Sequence, residues 1–227
     1  MQEPDFIIAS DNTILVKFGE KISNRIRKHV LSFCQHLIKN PLRFVIGLSP
    51  GYSSILIRIK NDCVINNCKK EIQLAFKSKL NNSVFRTDLI EIPVCYDHNL
   101  SPDMNRIKKI TSLEKEKIIS LHSSNDYIVY FIGFSPQFPY LGGMEKALTT
   151  PRLDYPRTKV PSGSVGIADD QTGIYPLSTP GGWNIIGRTP LNLIKKNNLE
   201  KSIIKMGDII RFIPIKFDEY EKIKINQ

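Results

Sequence analysis

Apolar residues return along this chain in two rhythms, and over residues 1–95 the rhythms alternate in a readable order. Phe6 to Ile8 and Thr13 to Phe18 predict two strands around the turn Asp11-Asn12. Ile22, Ile26, Val30, Phe33 and Leu37 then recur at helical spacing. That helix is expected to stop at Asn40-Pro41, because a residue before proline avoids the helical region. Phe44 to Leu48 predicts a strand, Ser49-Pro50-Gly51 a turn, and the alternation of Ile55, Ile57 and Ile59 a further strand. Lys69 to Leu80 carries Ile72, Ala75, Phe76 and Leu80 on one helical face, and Leu89 to Val94 is expected to close the layer as a strand. After the first strand the order is strand, helix, strand, strand, helix, strand. That is the split β-α-β order of a ferredoxin-like layer. Burial of the helical stripes on the sheet, at about 25 cal/mol per Å², must supply most of its stability. No catalytic constellation lies in this region, which suits docking or scaffolding.

Asp97 to Ser124 reads as a bridge. Ser101-Pro102-Asp103 starts a short helix, and Thr111 with Glu114 fits a capping box that opens another, striped by Leu113, Ile118 and Leu121. His122 falls at the end of that helix, where carbonyls and the helix dipole favour a protonated, C-capping imidazole. From Tyr130 to Pro190 the pattern changes. Short apolar runs at Val129 to Ile132, Ser164 to Ala168 and Ile185 to Ile186 are cut by Ser135-Pro136, Leu141-Gly142-Gly143, Pro161-Ser162-Gly163 and Thr179-Pro180-Gly181-Gly182. Such punctuation predicts short strands joined by constrained loops, with Gly163, Gly181 and Gly182 expected at φ > 0. Ile203-Ile204 and Ile209 to Ile213 follow as strands around Met206-Gly207-Asp208, before Pro214 and a charged tail whose end is expected to be mobile.

Composition narrows the picture. A length of 227 residues, with 41% hydrophobic and 24% charged residues, describes a soluble globular protein of one large domain or two small ones. No apolar run approaches the roughly 20 residues of a membrane span, and the opening MQEPDFIIAS lacks the pattern of a secretory signal. The expected location is the cytoplasm. The net charge of +10 comes largely from lysines scattered among acids, such as Lys69, Lys70, Lys77, Lys79, Lys108, Lys109, Lys115, Lys117, Lys195 and Lys196. With no nucleic-acid motif beside them, they read as solvated surface, and neither nucleic acid nor membrane is an expected partner. Cys63 and Cys68 lack the C-x-x-C spacing, and His29, His36 and His98 complete no zinc pattern, so no metal site is expected. Walker A, dinucleotide, H-E-x-x-H and G-x-S-x-G motifs are absent.

The polar residues of the Gly/Pro-rich stretch are the candidates for chemistry. Arg152, Arg157 and Arg188 each stand beside a proline or glycine turn, and Gln171, Thr172, Tyr175 and Ser178 gather in one short piece. A guanidinium fork suits carboxylate or phosphate; the alternative is that the arginines tie loop carbonyls or simply face solvent. FSPQFPYLGG, PRLDYPRTKVPSGSVGIA, QTGIYP and STPGGWNIIGRTP closely resemble the motifs of the family that joins allophanate hydrolase subunit 1, the kinase-inhibitor protein KipI and the B subunit of the ATP-dependent 5-oxoprolinase. Weaker similarity runs through NTILVKFGE, SPGYSSILIRI, IPVCYD and LHSS. Gln137 stands where that family usually has glycine, and Asp169 near another such glycine, so both put side chains into loops the family keeps bare.

The resemblance implies an α+β protein. A ferredoxin-like domain would occupy residues 1–95, and the bridging helices with a cyclophilin-like β-barrel residues 96–227. It implies a subunit that cleaves 5-oxo-L-proline to L-glutamate with partner subunits A and C, with ATP and Mg acting at the level of the complex and no nucleotide motif in this chain. Arg157, Arg152 and His122 are then the catalytic candidates, and Gln171, Thr172, Tyr175, Ser178 and Arg188 the substrate-binding ones. An alternative within the family is a KipI-like inhibitor of a sensor histidine kinase, docking through an apolar patch around Phe138-Pro139-Tyr140-Leu141; a third is a role in urea or allophanate metabolism. Since no complete set of catalytic parts is visible, the chain is expected to supply a half-site and to be inactive alone. The uneven cysteine spacing and the cytoplasmic reading predict free thiols. Titration of the denatured, unreduced protein with a thiol reagent should find all four; a count of two or none would overturn this.

Overall fold

Asp11 and Asn12 turn the chain back on itself after its first strand, and that hairpin settles the layout of the first unit. The computed structural model describes residues 3–20, 23–78, 88–194 and 203–226. It divides into Met1–Arg86 and Thr87–Gln227. In the first unit, β1 (Asp5–Ser10) and β2 (Thr13–Lys17) pair antiparallel. Helix α1 (Asn24–Lys39) is capped by Ser23, whose Oγ accepts from the Ile26 N–H at 3.2 Å, and it ends at Asn40, before Pro41. Strands β3 (Val45–Pro50) and β4 (Ser54–Ile59) and helix α2 (Ile65–Ser78) follow. The sheet order is β1-β2-β4-β3. Ile14, Val16, Ile55, Ile57 and Ile59 alternate onto one fully buried face. Helix α1 covers β3 and β4, and α2 covers β1. Phe76 of α2 meets Phe33 of α1 edge to face at 5.3 Å, and Phe6 of β1 at 6.1 Å.

Most of the expected elements are present, with one exchange. Leu89–Cys95 does not close this layer. Strand β1 lies on the β2 edge, where a ferredoxin-like layer would receive the strand after α2. A hairpin loop closes at far lower entropic cost than a return across a whole helix, so β1 claims the edge first. Helix α2 also begins earlier than Lys69, because Cys68, buried one turn before Ile72, extends its apolar stripe. Ile22, Lys79, Leu80, Lys195 and Lys196 lie outside the described residues.

The strand displaced from the first unit, β5 (Leu89–Cys95), instead belongs to a closed barrel in the second. The bridge folds into α3 (Met104–Thr111) and α4 (Lys115–Ser123). The barrel and its ribbon are built from β6 (Asp126–Ile132), β7 (Pro139–Gly142), β8 (Arg157–Val160), β9 (Ser164–Ala168), β10 (Gln171–Ile174), β11 (Thr179–Gly181), β12 (Asn184–Arg188) and β13 (Ile209–Ile215). Around the barrel the order is β10-β7-β6-β13-β5-β12-β9, with β9 pairing back to β10; β8 and β11 form a separate ribbon. Among the described residues only β5 and β13 run parallel. The expected closed barrel within a mixed α+β chain is therefore present. Ile92, Val94, Tyr127, Val129, Val165, Ile167, Ile210 and Phe212 fill its interior. A second cluster of Phe138, Val160, Ala168, Tyr175, Trp183 and Ile185 covers part of its outside. Strand β9 is buried on both faces, which is why its sequence is a continuous small and apolar run without alternation.

Two local expectations need correction. Thr111 does not open a capping box with Glu114: it is the last residue of α3, and its hydroxyl donates to the Ile107 carbonyl at 2.8 Å. Ile203-Ile204 is not a strand. The charged tail forms α5 (Phe217–Ile225), anchored by buried Tyr220. No helix among the described residues is long and apolar enough to cross a membrane. Removing the ring shared by both helices of the first unit should be costly. Phe76→Ala is expected to lose about 3–5 kcal/mol of stability, read from denaturant unfolding of that unit; a loss under 1 kcal/mol would mean the aromatic cluster is not its core.

Candidate functional site

The turn between β6 and β7 is tightly wound. Phe134 (φ 67°) and Gln137 (φ 64°) both take left-handed backbone. The turn is held by Ser135 N–H to the Gly133 carbonyl, Phe138 N–H to the Ser135 carbonyl and Gly133 N–H to the Phe138 carbonyl, at 2.9–3.1 Å. A side chain at Gln137 therefore occupies backbone that glycine adopts most freely. The turn places Phe134 and Phe138 on the wall of a cavity of about 540 Å³. Tyr140, Tyr175 and Trp183 supply further aromatic wall, and Leu153, Pro156 and Pro180 add aliphatic surface. The rings pack edge to face, Phe138 against Tyr175 at 5.0 Å and against Trp183 at 5.3 Å. Gly181 is required for this packing, since a Cβ there would lie 2.4 Å from the Tyr175 hydroxyl. Of the three glycines expected at φ > 0, only Gly163 (φ 82°) is found there. Gly181 and Gly182 are not, and Gly182 has ordinary room for a side chain.

Polar groups in this wall are few. Ser135 and Thr179 are among the lining residues, but their hydroxyl oxygens are shielded from solvent and have no hydrogen-bond partner within the chain. Burial pushes the Tyr175 phenol up to about 12, opposed by the Trp183 backbone and by the nearby Arg157 and Arg152 guanidiniums. Tyr175 is thus a neutral hydroxyl. Among the described residues Arg152 is the single charged one of the lining. Its main chain is pinned on every side. Asn184 Nδ2 donates to the Pro151 carbonyl at 2.9 Å, Arg106 Nη2 to the Arg152 carbonyl at 3.2 Å, and the Leu153 N–H to the Gly182 carbonyl at 2.8 Å. Its side chain is more than half exposed and reaches Asp169 Oδ2 with Nε at 3.4 Å.

The other predicted residues lie elsewhere. Arg157 donates from Nη2 to Asp103, a carboxylate only 8% exposed that also accepts from the Ile185 N–H at 2.6 Å. The sequence singled out Arg157 without its partner: Asp103 looked like a helix start, and nothing local marks it as buried. Arg188 is half-buried in β12, with its Cγ near Gly163; Gln171 is half-buried in β10 and Ser178 is exposed. None of these lines the cavity. The aromatic wall was visible in the sequence only as a stretch rich in rings and in the chain's single tryptophan.

His122 and Thr172 belong to a buried relay inside the barrel. The Thr172 hydroxyl donates to the Gly166 carbonyl at 3.0 Å, so it accepts from His122 Nε2–H at 2.9 Å; Nδ1 then accepts from the Tyr96 hydroxyl at 2.8 Å. The ring stacks on Phe212 at 4.5 Å. The expected protonated, C-capping histidine is therefore corrected: burial lowers its pKa to about 3 and keeps it neutral. Its folded pKa lies below the ordinary 6.5 of an unfolded histidine, so the unfolded chain binds the proton more readily. The stability associated with the neutral ring is complete above 6.5 and is lost as pH falls from there towards 3. Between about pH 6 and 4 the loss should approach about 1.4 kcal/mol per pH unit. Denaturant unfolding across this range should show that slope in the native chain and lack it in His122→Gln; identical slopes would show that the imidazole titrates normally in the fold.

A model of the family described as "Carboxyltransferase domain, subdomain C and D" matches residues 4–204. The 5-oxoprolinase B subunit of Bacillus subtilis (strain 168) is 34% identical over 225 residues, covering 94% of each chain. That of Escherichia coli O157:H7 is 33% identical over 217 residues, covering 95% of this chain and 98% of its own. Among solved structures, TTHA0988 superposes with a TM-score of 0.81 at 29% identity over 90% of this chain; the chain spans 40% of that protein's length.

Proposed function

This chain belongs to the carboxyltransferase-domain family, subdomains C and D, and from that premise we propose that it is the B subunit of an ATP-dependent 5-oxoprolinase, opening the lactam of 5-oxo-L-proline to L-glutamate together with partner subunits A and C. Two relatives of that name, aligned nearly end to end, support the reading. The observation that carries it is the make-up of the cavity: aromatic and aliphatic walls with one guanidinium among the described residues. 5-Oxo-L-proline has matching parts. Its ring methylenes suit the faces and edges of Phe138, Tyr140 and Trp183. Its carboxylate suits Arg152.

The rest of the chemistry is assigned to the partners. Among the described residues the lining carries no Asp, Glu, His or Lys to act as general acid or base. Among the described residues no cluster of three His, Cys, Asp or Glu could hold a metal. One guanidinium is a poor match for a triphosphate, so ATP and Mg are assigned to the other subunits, and this chain holds and desolvates the lactam. Arg157 acts in this reading through architecture, by neutralising Asp103, and His122 by filling the barrel. The proposed setting is the cytoplasm.

Reconstitution tests this. The chain alone should release no glutamate, and the mixture with subunits A and C should do so with ATP. In that mixture Arg152→Ala should raise KM for 5-oxo-L-proline about 10- to 100-fold, the worth of a hydrogen bond to a charged group, with the melting temperature unchanged. Arg157→Ala should instead lower the melting temperature, because it leaves the Asp103 carboxylate without its cation. Glutamate release by the isolated chain would sink the half-site, and no release from any mixture would sink the assignment.

A further inference from the structure

We propose that Asp169 tempers acid binding in the aromatic cavity: it occupies the Arg152 guanidinium while the cavity is empty and yields it to the carboxylate of an entering ring compound. The inference rests on the reading of this cavity as the 5-oxoproline site and deepens it, by naming the residue that competes with the acid group of a small cyclic ligand and leaves its neutral counterpart untouched.

The geometry of the pair is what points there. Asp169 sits at the tip between β9 and β10 in left-handed backbone, φ 53°. Aspartate tolerates that region better than most side chains, though less freely than glycine. Its main chain is bridged to Thr150 by two hydrogen bonds, Asp169 N–H to the Thr150 carbonyl at 2.7 Å and Thr150 N–H to the Asp169 carbonyl at 3.2 Å. Thr150 is two residues before Arg152, whose own backbone is pinned by Asn184, Arg106 and Gly182. Both ends of the ion pair are therefore anchored, and only the side chains are free to change partner.

The contact itself is weak. It runs through Nε alone at 3.4 Å, between side chains 59% and 60% exposed. The bidentate edge of the guanidinium is not engaged by Asp169. A carboxylate on the ligand takes that edge in the geometry guanidinium prefers. It replaces one anion by another at the same cation, so the exchange costs little. A neutral lactam brings no anion and gains nothing from Arg152. Asp169 is thus a built-in competitor for acids alone. Removing it frees Arg152 and also removes a like charge from beside the incoming carboxylate.

Trp183 makes the test direct, since it is the chain's single tryptophan and lines the cavity. Its fluorescence in the full chain is titrated with 5-oxo-L-proline and with 2-pyrrolidinone, the same ring without the carboxylate. Asp169→Asn keeps a residue suited to left-handed backbone and should bind the acid about two- to fivefold more tightly, the range set by an exposed ion pair. It should bind the neutral lactam unchanged. Arg152→Gln should bind the two alike. Asp169→Gly, which relieves the backbone as well, should match Asp169→Asn. Unchanged or weaker acid binding in both Asp169 variants would overturn the proposal, as would an equal gain for the neutral ring. If 5-oxo-L-proline leaves Trp183 unperturbed in the native chain, benzoate and benzamide replace the pair. A benzoate preference that grows on removing Asp169 then upholds Asp169 as the competitor while rejecting the 5-oxoproline reading, and a preference that does not grow overturns it.

Discussion

Asp103 completes the barrel where its strands do not. Between β5 and β12 the ladder contains the pair Cys95 and Arg188, and β12 is bulged between Ile185 and Gly187. The outward backbone groups of Ile185 would otherwise be buried without partners, at a cost comparable to lost hydrogen bonds. The Asp103 N–H donates to the Ile185 carbonyl, and the Asp103 carboxylate accepts from the Ile185 N–H. A carboxylate this buried needs a counter-charge, and Arg157, at the start of β8, provides it. One side chain thus joins α3, β12 and the β8–β11 ribbon. That ribbon ends at Gly181, in the wall of the cavity.

The treatment of buried polar groups separates scaffold from site. Inside the barrel they are paired. Tyr96, His122, Thr172 and the Gly166 carbonyl form one chain of hydrogen bonds, and the Tyr127 hydroxyl donates to the His122 carbonyl at 2.8 Å. A relay satisfied at each of these links rigidifies a core, and a neutral histidine is what such a relay demands. At the cavity the one charged side chain of the lining, among the described residues, is held by a long, exposed contact. The same chain therefore uses polar side chains in two ways, paired and buried in the barrel, loosely held and exposed at the cavity.

Relatives named as a subunit of a larger enzyme fit that division. Among the described residues the cavity lining is aromatic and aliphatic, with one guanidinium and no carboxylate, imidazole or amine. Gly163, Gly181 and the left-handed positions at Gln137 and Asp169 set where walls and rim lie, and Arg152 sets the charge they enclose.

Much of the fold was legible in the sequence because local rules govern it. Alternation along Ile55, Ile57 and Ile59, helical recurrence from Ile26 to Leu37, the stop at Pro41 and the Gly/Pro punctuation after Tyr130 are all short-range signals. The motif run also carried the family. What lay beyond reach involved partners far apart in the chain. Leu89–Cys95 reads as a strand in either setting, and only competition with β1 for the β2 edge sends it to the barrel. His122 and Thr172 are 50 residues apart, and Arg157 and Asp103 are 54 apart; neither partner carries a local mark of burial. So the sequence determined residue types, turns and family. The tertiary structure alone decided which arginine lines a cavity and which braces a strand, because an ionisable side chain takes its role from the groups that surround it in space.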